Sequence, residues 1–176
     1  MHAPAVTIRA ERAEDVDAID RVLRAAFPTA DEAELVRQLR TDGDLRVSLV
    51  AELDGAVVGC VAISPVTIDG ESCEGVGLAP VAVLPSHQGR GIGATLVAAA
   101  LAACWGAAFC VVLGEPAYYR RFGFRRAAKF GLSSIYNAGD AFMALALPHG
   151  ALPEGGGVVR YARAFDALGE GSVSSR

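Results

Sequence analysis

The sequence predicts an α/β domain: one mixed sheet with helices on its faces. Three observations carry that class. Two amphipathic helical stretches open the chain, two Asp-Gly turns then join apolar runs into a meander of hairpins, and a β-α-β-α-β order closes it. A chain of 176 residues suits one domain. With 52% hydrophobic and 20% charged residues, its composition is globular and not disordered.

Taken in order, Val6 to Arg9 reads as a short first strand. Val16, Ile19, Leu23, Ala26 and Phe27 recur at helical spacing, which predicts an amphipathic helix over Ala13 to Phe27, stopped by Pro28. Asp31 with Glu34 three residues on has the form of a capping box, and a second helix runs through Leu35, Val36 and Leu39 to Asp42-Gly43. Leu45 to Glu52 is the next strand. Asp54-Gly55 is a hairpin signal, Val57 to Ile68 the return strand, and Asp69-Gly70 another turn into Gly75 to Val83. Ala94 to Cys104 is helical and apolar nearly all round, hence buried. Phe109 to Leu113 is a continuous apolar run, as expected of a strand covered on both faces. Pro116 suits a first helical position and opens a short helix to Phe122. Phe124 to Ala127, Phe142 to Leu147 and Val158 to Phe165 complete the strands. Residues 169–176 are expected as a disordered tail, leaving 1–168 as the single domain.

Charge and cysteine usage narrow the function classes. The formal net charge is −4, without the broad basic face of a nucleic-acid binder. Arg120, Arg121, Arg125 and Arg126 do cluster, either as a solvated face or as a patch that meets ligand phosphates. The four cysteines form no C-x-x-C pair and have no histidine at metal-ligand spacing, so no metal is expected. Cys60, Cys104 and Cys110 sit in apolar runs as small hydrophobes, which fits a reducing, cytoplasmic setting. Gly91 to Gly114 carries no charge and is long enough to span a bilayer. It breaks at Trp105-Gly106 into an Ala-rich half and a β-branched half, so a helix followed by a buried strand explains it better than a membrane span.

The stretch richest in chemistry is Gln88-Gly89-Arg90-Gly91-Ile92-Gly93-Ala94, between the strand ending at Val83 and the Ala-rich helix. Glycine lets a backbone approach a ligand closely. A helix's first turn offers unpaired N–H groups and partial positive charge, and together these suit a diphosphate. Arg90 adds a charged donor. The plain alternative is a turn that only redirects the chain. A Walker loop is excluded by the missing Lys. A dinucleotide fingerprint fits loosely, as Gly89-x-Gly91-x-x-Ala94 with Glu115 for a ribose, but Pro85 to Gln88 separate strand from glycine.

The strand, the Gln-x-x-Gly-x-Gly/Ala loop (Gln88, Gly91, Gly93) and the following helix resemble motif A of the Gcn5-related N-acetyltransferases. Two flanking segments match an uncharacterised bacterial subgroup of that family: Gly77-Leu78-Ala79-Pro80-Val81-Ala82-Val83 before the loop, and Gly114-Glu115-Pro116-Ala117-Tyr118-Tyr119-Arg120-Arg121-Phe122-Gly123-Phe124 after the next strand. The resemblance implies the acyl-CoA N-acyltransferase fold, a central, mostly antiparallel mixed sheet splayed between its fourth and fifth strands. It implies acetyl-CoA as co-substrate and an amine as acceptor, with direct attack and no acyl-enzyme.

Pro80 inside a strand that should be central fits such a splay, because proline cannot donate to a ladder. The resemblance assigns Val81, Ala82 and Val83 to backbone contacts with the pantetheine arm. It assigns Gln88, Gly89, Arg90, Gly91, Ile92, Gly93 and Ala94 to the diphosphate. Tyr119, at Tyr-x-x-x-Gly-Phe, matches the family's general acid, and Tyr118 is the neighbouring alternative. Its structural alternative is a core tyrosine. Glu74 and Glu115 are the acidic candidates for the base, with a water-mediated route open beside them. A non-catalytic acyl-CoA-binding module and a dinucleotide-binding oxidoreductase are the competing readings. No nucleic-acid or membrane partner is expected, and a homodimer is left open.

Overall fold

The structure, a computed structural model, describes residues 5–168. Nine strands among them form one sheet, with neighbours in the order β1-β2-β3-β4-β5-β8-β6; β9 pairs with the end of β3, and β7 pairs with β9. The strands are β1 Thr7–Ala10, β2 Val47–Leu53, β3 Ala56–Ile68, β4 Glu71–Val83, β5 Phe109–Leu113, β6 Arg125–Arg126, β7 Leu132–Ser134, β8 Phe142–Ala146 and β9 Gly157–Tyr161. The helices are α1 Val16–Ala26, α2 Asp31–Asp42, α3 Ile92–Ala102 and α4 Pro116–Tyr119. Pairing is antiparallel except for β4 with β5 and β7 with β9.

The local chemistry explains the turns. Asp54 and Gly55 both take positive φ (51° and 79°), as do Asp69 and Gly70 (50° and 83°). This primed geometry matches the right-handed twist of the flanking strands and closes both two-residue hairpins. Gly43 ends α2 in the left-handed region at φ 76°.

The capping box expected at Asp31 and Glu34 does not form. Ala30 holds the N-cap position and Asp31 is already helical. Glu34 instead points outward, where Arg24 and Arg37 donate to its carboxylate.

Helices cover both faces of the sheet. On one face α3 buries Ile92, Leu96, Val97 and Ala100 against Val61, Ile63, Val76, Leu78, Val81 and Val83. On the other, α1 and α2 pack with Val50, Val57, Cys60 and Ala82, while Leu35 and Leu39 join Val66, Ala79, Val111, Tyr161 and Phe165. The strict alternation of Val76, Leu78 toward α3 and Gly77, Ala79 away from it is the period-two signature of a strand. The uncharged run from Gly91 to Gly114 divides into α3 and β5, and no helix among the described residues is long and apolar enough to cross a membrane.

Three differences from the sequence reading lie in the last third. The expected final strand over Val158 to Phe165 stops at Tyr161 and continues as a 3-10 turn over Arg163–Ala167. The expected strand over Phe124 to Ala127 shrinks to Arg125–Arg126. β7 was not expected; it is three residues long and gains its identity only by pairing with β9. The expected tail, 169–176, lies outside the described residues.

Candidate active site

β4 and β5 separate partway along their length. They pair in parallel at Gly75–Phe109, Val76–Cys110 and Gly77–Val111, and the pairing ends there. β5 carries on to Leu113 paired only with β8, while β4 carries on to Val83 paired only with β3. Two sequence features produce the split. Between Leu78 and Val81, β4 holds one residue more than β3 opposite it, a bulge that contains Ala79-Pro80. A bulge bends its strand and raises the local twist, and Pro80 lacks the N–H that a ladder would need.

The free edge of β4 therefore faces a gap. The Leu84 N–H donates to the Val58 carbonyl on β3. By alternation along the strand, the main-chain groups of Val83 and Val81 point the other way, into the gap.

At the open end of this gap lies the glycine loop. Gly89 and Gly91 take positive φ (75° and 80°), and a Cβ built on either meets nothing within 4 Å. Glycine is thus required here for backbone conformation, and the space before it is open. Gln88 folds back to donate from Nε2 to the Val83 carbonyl at 3.0 Å, which ties the loop to the end of β4. Gly91 is the N-cap of α3, so the first-turn amides from Ile92 onward have no helical acceptor.

A cleft of about 550 Å³ joins these parts. Val81, Ala82, Val83, Gln88, Gly89, Gly91, Ile92, Gly93 and Ala94 line it, together with His87, Tyr118, Arg121, Ala26 and Phe27. Nine of the ten sequence-assigned cofactor positions thus converge on one wall. The tenth, Arg90, is exposed and turns back so that Nη2 donates to the Ser86 carbonyl at 3.2 Å. The cation at the cleft is instead Arg121, whose guanidinium lies 4.2 Å from the Tyr118 ring centroid. Arg121 belongs to the arginine cluster seen in the sequence. Ala26 and Phe27 were not anticipated; the one available signal was an apolar residue held at the end of α1 by Pro28.

A larger cleft, about 660 Å³, lies between α2 and the last turn. Asp31, Glu34, Asp42 and Asp44 rim it against a single cation, Arg163, a net negative lining that disfavours phosphates, and no glycine loop opens into it, so the glycine-loop cleft is the candidate site.

The two adjacent tyrosines occupy different depths. A Cβ on Gly93 would lie 3.3 Å from the Tyr118 hydroxyl, which places that hydroxyl over the start of α3, at the mouth. Burial pushes the Tyr118 phenol up, and the Arg121 charge opposes this. Tyr119 is buried in the α3-side core, edge-on to Tyr118 at 5.0 Å and to Phe124 at 5.8 Å.

The acidic candidates separate. Glu74 is exposed and precedes the paired segment, lining clefts beside Trp105 at the far end of α3. Three residue pairs of β4 and β5 stand between it and the gap, so the structure does not bring Glu74 to the cleft. Glu115 is the N-cap of α4, its carbonyl accepting from the Tyr118 and Tyr119 amides. It follows β5 at the open end but does not line the cleft.

No cysteine lines the cleft. Burial pushes the Cys60 thiol up to about 12 and Cys104 up to about 11, and holds Cys110 well above the usual range. These thiols stay protonated and unreactive.

Comparison with known proteins agrees with this geometry. Residues 44–126 match the family described as acetyltransferase (GNAT) domain. The chain is 41% identical over 163 residues to the uncharacterized N-acetyltransferase YhbS of Escherichia coli K12, covering 90% of this chain and 98% of that one. Among solved structures, a GNAT family N-acetyltransferase (YhbS) from Escherichia coli in complex with CoA superposes with a TM-score of 0.91 at 39% identity, over 100% of this chain and 98% of that one. A GNAT family acetyltransferase from Brucella melitensis in complex with acetyl-CoA gives 0.79 at 40% identity, over 93% of this chain and 100% of that one. The split between β4 and β5, the glycine loop behind it and these relatives together show that the chain belongs to the GNAT family of N-acetyltransferases.

Proposed function

We propose that this protein transfers the acetyl group of acetyl-CoA to a primary amine, of a small molecule or a protein, by direct attack in a ternary complex. The observation that carries this is the gap opening after Gly77, directly behind the glycine loop. The diphosphate takes the amides from Gly89 to Ala94 and the partial positive charge of α3. Arg121 stands at the same mouth to meet phosphate charge. The pantetheine arm then lies along the free edge of β4, pairing with Val83 and Val81 in the manner of an added strand.

In the reaction the amine nitrogen attacks the thioester carbon. The C–N bond forms, the C–S bond breaks, and the thiolate leaves. Tyr119, buried behind Tyr118 and not itself lining the cleft, is the residue we assign to protonate that thiolate, since a positioned phenol O–H can donate to it. The amine's surplus proton passes to water or, at the open end, to Glu115, and Tyr119 is reprotonated from solvent. The protonated thiols of Cys60, Cys104 and Cys110, none of them in the cleft, support direct attack over an acyl-enzyme.

Calorimetry with acetyl-CoA and with NAD, followed by thiol release with a panel of primary amines, tests the reading. Acetyl-CoA is expected to bind, NAD not, and at least one amine to release thiol. Binding without turnover on any amine would favour a non-catalytic acyl-CoA module.

A further inference from the structure

Trp105 is the chain's single tryptophan, and it is 93% exposed. It stands on the turn that ends α3, where its amide donates to the Ala103 carbonyl and Gly106 takes a positive φ of 81°. That turn is at the end of the molecule away from the glycine loop, separated from it by the 11 residues of α3, about 16 Å at 1.5 Å each. An indole left in water exposes one of the largest apolar surfaces of any side chain, roughly 150–250 Å².

Trp105 borders two clefts, of which the one toward β8 is the larger, about 440 Å³ against 260 Å³. Ala102, Ala107, Ala108 and Gly150 give the larger cleft a lining of small residues. Hydrogen bonds fix that lining in place. The Ala108 amide donates to the Glu74 carbonyl at 2.7 Å, and the Ala108 carbonyl accepts from the Leu147 amide at 3.0 Å. A Cβ built on Gly150 would stand 2.2 Å from the Ala108 carbonyl oxygen, so glycine there lets the turn after β8 lie directly on this backbone. The cleft's one carboxylate is Glu74, which is exposed and whose side chain makes no hydrogen bond or ion pair among the described residues.

A slot of small residues with one free carboxylate is complementary to an indole, an apolar plate that carries one N–H donor and no acceptor. Trp105 cannot fill the slot of its own copy, because it forms one of the walls. A second copy can fill it. Under a two-fold axis through this face, each Trp105 enters the other copy's slot, so both indoles are covered at once and the assembly closes.

We propose that this face is a self-association surface: two copies of the chain pair about a two-fold axis, each Trp105 seated in the other copy's cleft between the end of α3 and the turn after β8, its indole N–H donating to Glu74. Two anchors with a narrow surround bury little area, which places the dimer at the weak, reversible end of interfaces. The glycine-loop cleft of each copy stays outside the contact, at the other end of α3, so the inference stands independently of the acetyl-transfer reading.

The single tryptophan is its own probe. Sedimentation velocity and tryptophan emission are followed together from about 1 to 100 µM, the range of a weak interface. A shift from monomer to dimer is expected, with emission moving to shorter wavelength and acrylamide quenching falling in step with the dimer fraction. Trp105→Ala should raise the dimer dissociation constant about 30-fold or more, as loss of a central anchor does, while thermal unfolding stays unchanged because the side chain is exposed. Glu74→Ala should raise it about 3- to 10-fold. Ala102→Lys fills the cleft but keeps Trp105, and should give a monomer whose emission stays that of an indole in water. A wild-type chain that remains monomeric at about 100 µM overturns the proposal. So does a dimer that persists undiminished in Trp105→Ala and Ala102→Lys, or one that forms while Trp105 stays as quenchable as in the monomer.

Discussion

Asp15 sits ahead of α1, where Arg9 donates to both its oxygens at 2.6 and 3.0 Å and the Arg12 amide adds a third bond at 2.7 Å. The Arg9 hydrogen bonds, helped by the Arg12 amide, lower its carboxyl from 3.8 to about 2. A carboxyl depressed by folding adds stability that is complete above the unfolded value and vanishes as pH falls through the folded one. That contribution is therefore lost between about pH 4 and pH 2. Asp15→Asn should lower stability at pH 7 by about 1–2 kcal/mol and flatten the acid limb, as read by urea unfolding at pH 7 and pH 3. Tyr119 makes a different kind of claim, about chemistry. Tyr119→Phe should lower kcat by about 10²-fold or more while acetyl-CoA affinity stays nearly unchanged, since its ring remains to pack on Phe124. A wild-type rate in that variant would remove Tyr119 from the mechanism.

The loop between β4 and α3 works as one element: Gln88 tethers it, Gly89 and Gly91 bend it, and α3 supplies the amides. Gly91→Asp should cost about 1–2 kcal/mol of stability from its positive φ. It should also weaken acetyl-CoA binding in calorimetry, because the new carboxylate stands where phosphate belongs. Unaltered affinity would contradict the loop assignment. Much of this element was legible beforehand, since glycines after a strand and before an Ala-rich helix have few other uses. The boundaries of β5, the two Asp-Gly hairpins and the disruption at Pro80 were legible for the same reason: local chemistry leaves one outcome. What escaped depends on distant partners. Arg90 and Arg121 are equally plausible cations in sequence, and only the stacking on Tyr118 distinguishes them. Glu74 looked close to the gap because the sequence does not say where β4 and β5 stop pairing. β7 exists only through β9.

At the scale of the whole molecule, the nine-stranded sheet of the described residues, seven strands across, is interrupted between two of its central members, with helices packed on both faces. The paired half, Gly75–Gly77 with Phe109–Val111, closes one end of the gap. The free half of β4 is pinned on one side by β3 and exposes main-chain donors and acceptors on the other. An account in which acetyl-CoA completes this edge makes a spatially resolved statement about protection. Hydrogen exchange measured with and without saturating acetyl-CoA tests it most directly. Amides of Val81, Val83 and Gly89 to Ala94 should slow markedly on binding, while Gly75 to Gly77 and Phe109 to Val111 should hardly change. Protection that falls elsewhere, or none at all, would contradict the claim that the gap between β4 and β5 receives the cofactor.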